Sequence, residues 1–98
     1  MHFEELWNKC EELHQEIVKH ESAVAILNEL ELKIGLYKAL DQKDIPTQER
    51  EKIKSRTMGE ILLTLTKLSM KDNINVYEAL NIAMQYRSID LFKNKYST

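Results

Sequence analysis

One cysteine, one proline and two glycines stand among 98 residues, and each scarcity excludes something. The lone Cys10 can form no disulfide within the chain, so a reducing compartment is expected. It lies at helical apolar spacing with nothing nearby to activate it, and reads as a buried, inert thiol rather than a nucleophile. With only Pro46, Gly35 and Gly59 to interrupt it, the chain has few turn signals, and no alternating run argues for strands. There is no glycine-rich phosphate loop and no cysteine pair at zinc spacing, and His2, His14 and His20 are too scattered for a nucleophilic triad. No apolar run reaches membrane-spanning length. The start, "MHFEELWNKC", carries acids where a secretory signal has a basic start and an apolar run, so a cytoplasmic location and no membrane contact are expected.

What is present describes one soluble domain over residues 1–98, with 43% hydrophobic and 31% charged residues. A core this small buries a limited share of its chain, and a homodimer is the expected remedy. Charge is uneven. Residues 1–45 hold ten acids against five bases, and residues 46–98 hold six against nine, giving the halves −5 and +3. That polarity can steer one half onto another, within or between chains, while a net charge of −2 leaves no footprint for nucleic acid. In the most basic stretch, "REKIKSR" from Arg50 to Arg56, acids and bases mix as on a solvated helix face, with a phosphate-binding patch as the competing reading.

Hydrophobic periodicity predicts four helices, over about residues 2–20, 22–41, 46–71 and 75–92. In the first, Phe3, Leu6, Trp7, Cys10, Leu13 and Ile17 share one face. Ser22 is a candidate N-cap for the second, whose apolar positions are Ile26, Leu27, Leu30, Ile34, Tyr37 and Leu40. Pro46 suits the first turn of the third, where its missing amide hydrogen costs nothing. The third helix has a core stripe of Met58, Ile61, Leu62, Leu65 and Leu68, with a polar ridge of Thr57, Glu60, Thr64, Lys67 and Lys71 beside it at the same period. The fourth restarts cleanly: Asn75 caps, Glu78 completes a capping box, Ile74 can staple onto Ala79, and Ala79, Leu80, Ile82, Ala83 and Tyr86 point to the core. Short connections and amphipathic faces imply an all-α fold, an antiparallel four-helix bundle. Glu16 and His20, one turn apart, form the single metal-like pair, and two ligands on an exposed face read better as a solvated ion pair. Trp7 and the methionines read as core or dimer interface.

Two stretches carry a family resemblance. "MGEILLTLTKLSMKDNINVYEALNIAMQYR" and, earlier, "LKIGLYKAL" resemble the helices of the MazG-type all-α nucleotide pyrophosphohydrolases over roughly residues 22–95. Gly59 and Glu60 fall on the Gly-Asp of that family's metal helix, "NVYEAL" on its following helix start, and Ile34 and Gly35 on its Val-Gly pair. The resemblance implies a dimeric helical bundle in which four acids hold magnesium while water attacks the α-phosphorus and pyrophosphate leaves. Magnesium requires several hard oxygen ligands in a strict octahedron.

Residue by residue, those four positions are Lys33, Leu36, Thr57 and Glu60, and only Glu60 is an acid. Shifting the register to Glu29 or Glu31 finds no acid three residues on. In the tail "MQYRSIDLFKNK", Arg87 and Asp90 replace the family's asparagine and arginine. Glu60 is thus a remnant metal-ligand position, expected to pair with Arg56 one turn back. Gly59, which costs a helix about 1 kcal/mol, marks a place where another helix comes close.

The favoured expectation is a MazG-like protein without catalytic residues or cofactor, acting as a protein-binding or regulatory module. The alternatives are a divergent magnesium-dependent pyrophosphohydrolase using Glu60 with Glu29 or Glu31, and a metal-independent nucleotide binder. In the latter Lys33, Arg56 and Arg87 would contact phosphate.

Overall fold

The protein is described by a computed structural model covering residues 2–96, with side chains described for residues 2–93. It is all-helical: α1 (Phe3–His20), α2 (Ala23–Ala39), a 3-10 turn (Leu40–Gln42), α3 (Thr47–Lys71) and α4 (Val76–Tyr96). Among the described residues no helix is long and apolar enough to cross a membrane.

The two predicted caps form. Ser22 Oγ accepts from the Ala25 amide at 3.1 Å, and Asn75 Oδ1 accepts from the Glu78 amide at 3.0 Å, each satisfying a donor that the first helical turn leaves unpaired. Three boundaries differ from expectation. α2 stops at Ala39 and tightens into the 3-10 turn, a common way for a helix to satisfy its last carbonyls. Pro46 stands just before the first helical residue, its carbonyl accepting from the Arg50 amide at 2.9 Å. α4 continues past residue 92 to Tyr96. The α3–α4 corner closes as a Schellman motif. Asn73 takes the left-handed φ of 54°, the Ile74 amide donates to the Ser69 carbonyl at 2.9 Å, and the Asn73 amide donates to that of Met70 at 3.2 Å. Asparagine tolerates that conformation better than most residues.

α3 is the hub, with α1 and α2 each packed along it. Pairs 41–54, 33–60 and 29–67 make α2 and α3 antiparallel. Trp7, Val18, Ile26 and Leu40 form the buried apolar core. This is smaller than the sequence stripes promise: on α1 Phe3, Leu6, Leu13 and Ile17 are exposed, the α3 stripe keeps only Ile61, Leu65 and Leu68 half-buried, and the α4 stripe is exposed throughout. On α3 the buried residues are Thr64, Thr66, Lys67 and Ser69, while Met58 is 43% and Leu62 39% exposed. The polar ridge, read as lying beside the core, faces α2 instead. On α4 the expectation of a core-facing stripe fails within the chain: every residue from Glu78 to Lys93 is exposed, including Ala79, Leu80, Ile82, Ala83 and Tyr86. Ile74 is also exposed. Periodicity marks a stripe that wants covering but not the surface that covers it.

Candidate functional site

The α2–α3 contact is built around two lysines. Lys33 reaches across from α2, donating to Thr64 Oγ1 at 2.7 Å, to Glu29 Oε1 at 3.1 Å, and to Glu60 through its carbonyl at 3.3 Å and Oε2 at 3.4 Å. Lys67 reaches back from α3 to Glu29 Oε2 at 2.7 Å and to both carboxylate oxygens of Glu21 at 2.9 and 3.2 Å. Glu29 therefore bridges the two ammonium groups, one oxygen to each. The chain of charges runs Glu60, Lys33, Glu29, Lys67, Glu21, with signs alternating throughout. Thr64, fully buried, completes it by donating to the Glu60 carbonyl at 3.1 Å while accepting from Lys33.

Local sequence explains the placement. Glu29 and Lys33 are one turn apart on α2, and Glu60, Thr64 and Lys67 recur at helical spacing on α3, so each helix presents its members on one face. Partial burial then makes each partner matter, because a charge removed from water is costly unless it is paired. The Lys67 ammonium holds the Glu29 carboxyl below its usual range, against the opposing effect of burial and with help from Lys33. Burial opposes the charge on Lys67, but Glu29 and Glu21 together outweigh it and raise that group's pKa.

Of the four positions matched to the family's metal ligands, the fold brings two together. Lys33 and Glu60 meet as an ion pair. Leu36 is exposed, and Thr57 turns its hydroxyl back to the Ile53 carbonyl at 2.8 Å. The expected partner of Glu60 was Arg56; its ion pair runs instead to Lys33, from a different helix, because the ridge faces α2. An ammonium cannot ligate magnesium, and here it sits on the carboxylates a metal would need. Among the described residues no three His, Cys, Asp or Glu side chains converge in a way that could hold a metal ion. These residues do not fit the group that the resemblance implies.

The remaining candidates are dispersed. Arg87 lies on the exposed stretch of α4, away from Lys33 and Glu60 on α2 and α3. Glu31 is exposed, and Glu16 pairs with Lys19 at 3.1 Å rather than with His20. Within "REKIKSR", Arg50 is committed to the loop before α3, where Nη2 donates to the carbonyls of Lys43 at 3.0 Å and Ile45 at 3.1 Å. Lys54 pairs with Asp41 and lies 5.6 Å from the Tyr37 ring centroid. Lys67 and Glu21 are the residues that sequence reasoning missed. Lys67 was visible as a ridge residue, but nothing along the chain tied it to a glutamate 46 positions away.

A second feature lies on the other side of α3. α1 and α3 enclose an apolar groove of about 320 Å³ lined by Phe3, Leu6, Trp7, Cys10, Leu62 and Leu63, with Gly59, Arg56, Glu60 and Thr66 also contributing. Cys10, expected to be buried, is half-buried in its wall. Gly59, expected to receive a closely approaching helix, has no atom from outside its own turn of helix within 4 Å of where a Cβ would stand among the described residues. Set against protein-family models, curated proteins and solved structures, the chain matches none of them.

Proposed function

We propose that this chain is a MazG-like helical protein that has lost metal-dependent nucleotide pyrophosphohydrolase activity and serves, as a dimer, as a protein-binding or regulatory module. The observation that carries this reading is Lys33. It stands at a family ligand position, and its ammonium bonds Glu29, Glu60 and Thr64 across the α2–α3 contact. A positive charge there opposes binding of a divalent cation and simultaneously neutralises the carboxylates that would attract one. The same ion pairs hold two helices together, so replacement of the ligands exchanges a catalytic cluster for a structural one.

A metal-independent nucleotide binder is the second reading. The observation in its favour is Arg56, exposed at the rim of the α1–α3 groove close to Glu60. Lys33 could join it at a phosphate only by giving up bonds to Glu29 and Glu60. Chelator-insensitive nucleotide binding that weakens with salt would favour this reading.

The deciving assay is pyrophosphate release from a panel of standard and modified nucleoside triphosphates, with magnesium and then manganese, and Glu60→Ala as control. No release above the Glu60→Ala background is expected. Release that disappears in Glu60→Ala would make the protein a divergent pyrophosphohydrolase and overturn the proposal.

A further inference from the structure

We propose, resting on the dimeric part of the function proposed above, that the α1–α3 groove is the seat for α4 of a second copy of this chain. Each copy places its fourth helix in the groove of the other, and two four-helix units are completed by exchange.

The first support is the state of α4. With about 3.6 residues per turn, Ala79, Leu80, Ile82, Ala83, Met84, Tyr86, Ile89 and Leu91 spread over more than half of its circumference. Yet all of them are exposed within one chain. A helix that is apolar over so wide an arc is built to be buried. Its own groove is out of reach: the Schellman turn fixes its departure from α3. Tyr77, in its first turn, is set beside Asn8 and Glu11, on a different wall of α1 from Phe3, Leu6 and Cys10.

The groove itself supplies the second. It is walled by Phe3, Leu6, Trp7 and Leu62, and Gly59 leaves its floor open. A glycine in mid-helix forfeits helix stability, and none of the described residues outside its own turn of helix takes up the space it provides. A helix from outside would, with Ala79 and Ala83 as the small residues that allow close approach and Ile82, Tyr86 and Ile89 as anchors at one- and two-turn spacing.

Charge favours a second copy over an unrelated helix. α1 carries five glutamates against two lysines, while α4 carries one arginine and two lysines against one glutamate and one aspartate. Apposing α4 and α1 between copies brings opposite signs together on that wall of the groove, while α3, with six bases against three acids, is the like-charged wall. Size agrees as well. A 21-residue helix is about 30 Å long. Two such helices, each lying on a footprint about 10 Å wide, bury about 1,200 Å² counted over both surfaces, within the range of specific interfaces. Reciprocal exchange gives the closed, two-fold symmetric arrangement usual for homodimers.

Sedimentation equilibrium of the full chain from low to high micromolar concentration tests the proposal, with circular dichroism to confirm that each variant stays helical. The wild-type chain is expected to be a dimer. Ile82→Asp on α4 and Gly59→Trp in the groove should each weaken self-association at least tenfold while leaving helicity intact, since neither position is packed in the single chain. Location is read separately through Cys10, the chain's one cysteine. Cysteines introduced singly at Leu80, Ile82, Met84, Tyr86 and Ile89 should include positions that a short bis-maleimide links to Cys10 of the other copy. Those links should vanish with Cys10→Ser. A dimer unaffected by either substitution, with no Cys10 link from any α4 position, would overturn the exchange while leaving a dimer by another face. A wild-type chain monomeric throughout would overturn the exchange and the dimeric part of the proposed function together, whereas the loss of catalysis would still stand or fall on pyrophosphate release.

Discussion

The contact between α2 and α3 and the surface of α4 treat polar and apolar residues in opposite ways. Between α2 and α3, Lys67 is only 8% exposed and Thr64 and Thr66 are essentially covered, whereas along α4 leucine, isoleucine and methionine face water. Burial of lysine is tolerable because Glu21 and Glu29 surround its ammonium at 2.7–3.2 Å, and burial of threonine because Thr64 and Thr66 return their hydroxyls to the Glu60 and Leu62 carbonyls. Exposure of α4 has no such internal compensation. A single chain thus pairs the polar groups of its α2–α3 contact and leaves much of its apolar surface unfinished.

The most damaging change should be made where both helices share apolar packing. Ile26 is completely buried on α2, and Ile26→Ala should lower unfolding free energy by about 2–4 kcal/mol through lost transfer energy and the residual cavity. Urea titration followed by circular dichroism would measure it. A loss below about 1 kcal/mol would mean that the α2–α3 contact depends on its polar members alone.

Lys67→Ala tests those members. Removing the ammonium leaves Glu21 and Glu29 facing one another in a partly covered site, and a loss of about 2 kcal/mol is expected from the same titration, below the cost for a fully buried pair because both carboxylates retain some solvent. An unchanged midpoint would show that the network closes only weakly in solution.

Acid and alkali sharpen the same contact from its two sides. Glu29 has a folded pKa lowered from 4.5, so its contribution is complete above about pH 4.5 and is lost as pH falls through the lowered folded value. Lys67 has a folded pKa raised from 10.5, so its contribution is complete below about pH 10.5 and is lost as pH climbs through the raised value. Melting temperature against pH should therefore fall at both extremes, and Lys67→Ala should flatten the alkaline fall and reduce the acid one. A variant whose alkaline fall matches that of the wild type would detach Lys67 from it.

The smallest effect belongs to α4 when the chain is dilute enough to be monomeric. There Ile82→Ala should change stability by no more than a few tenths of a kcal/mol, since Ile82 is exposed and alanine is at least as good a helix former. At concentrations where copies associate, the same substitution should become clearly destabilising. Equal effects at both concentrations would erase the contrast between the two regions.

Much of the secondary structure was legible before folding. Ser22 and Asn75 announced their helices because a side-chain oxygen ahead of an apolar-periodic run has one obvious use. The candidate site was half legible: Lys33 and Glu60 could be named from the resemblance, but their ion pair could not, since the local alternative for Glu60 was Arg56 one turn away. The orientation of α3 was also hidden. Its core stripe and polar ridge share a period, and a single helix contains no statement of which one its neighbour will meet.

Helix number, the caps at Ser22 and Asn75 and the absence of strands among the described residues follow from the sequence alone, because they depend on local periodicity and on backbone groups satisfied within a few residues. Tertiary structure alone decided that the ridge of α3 faces α2, that Lys33 and Lys67 share Glu29, and that α4 stands clear of its own bundle. Those outcomes depend on pairings between residues far apart in the chain, where the cost of covering a charge is set by how many partners surround it.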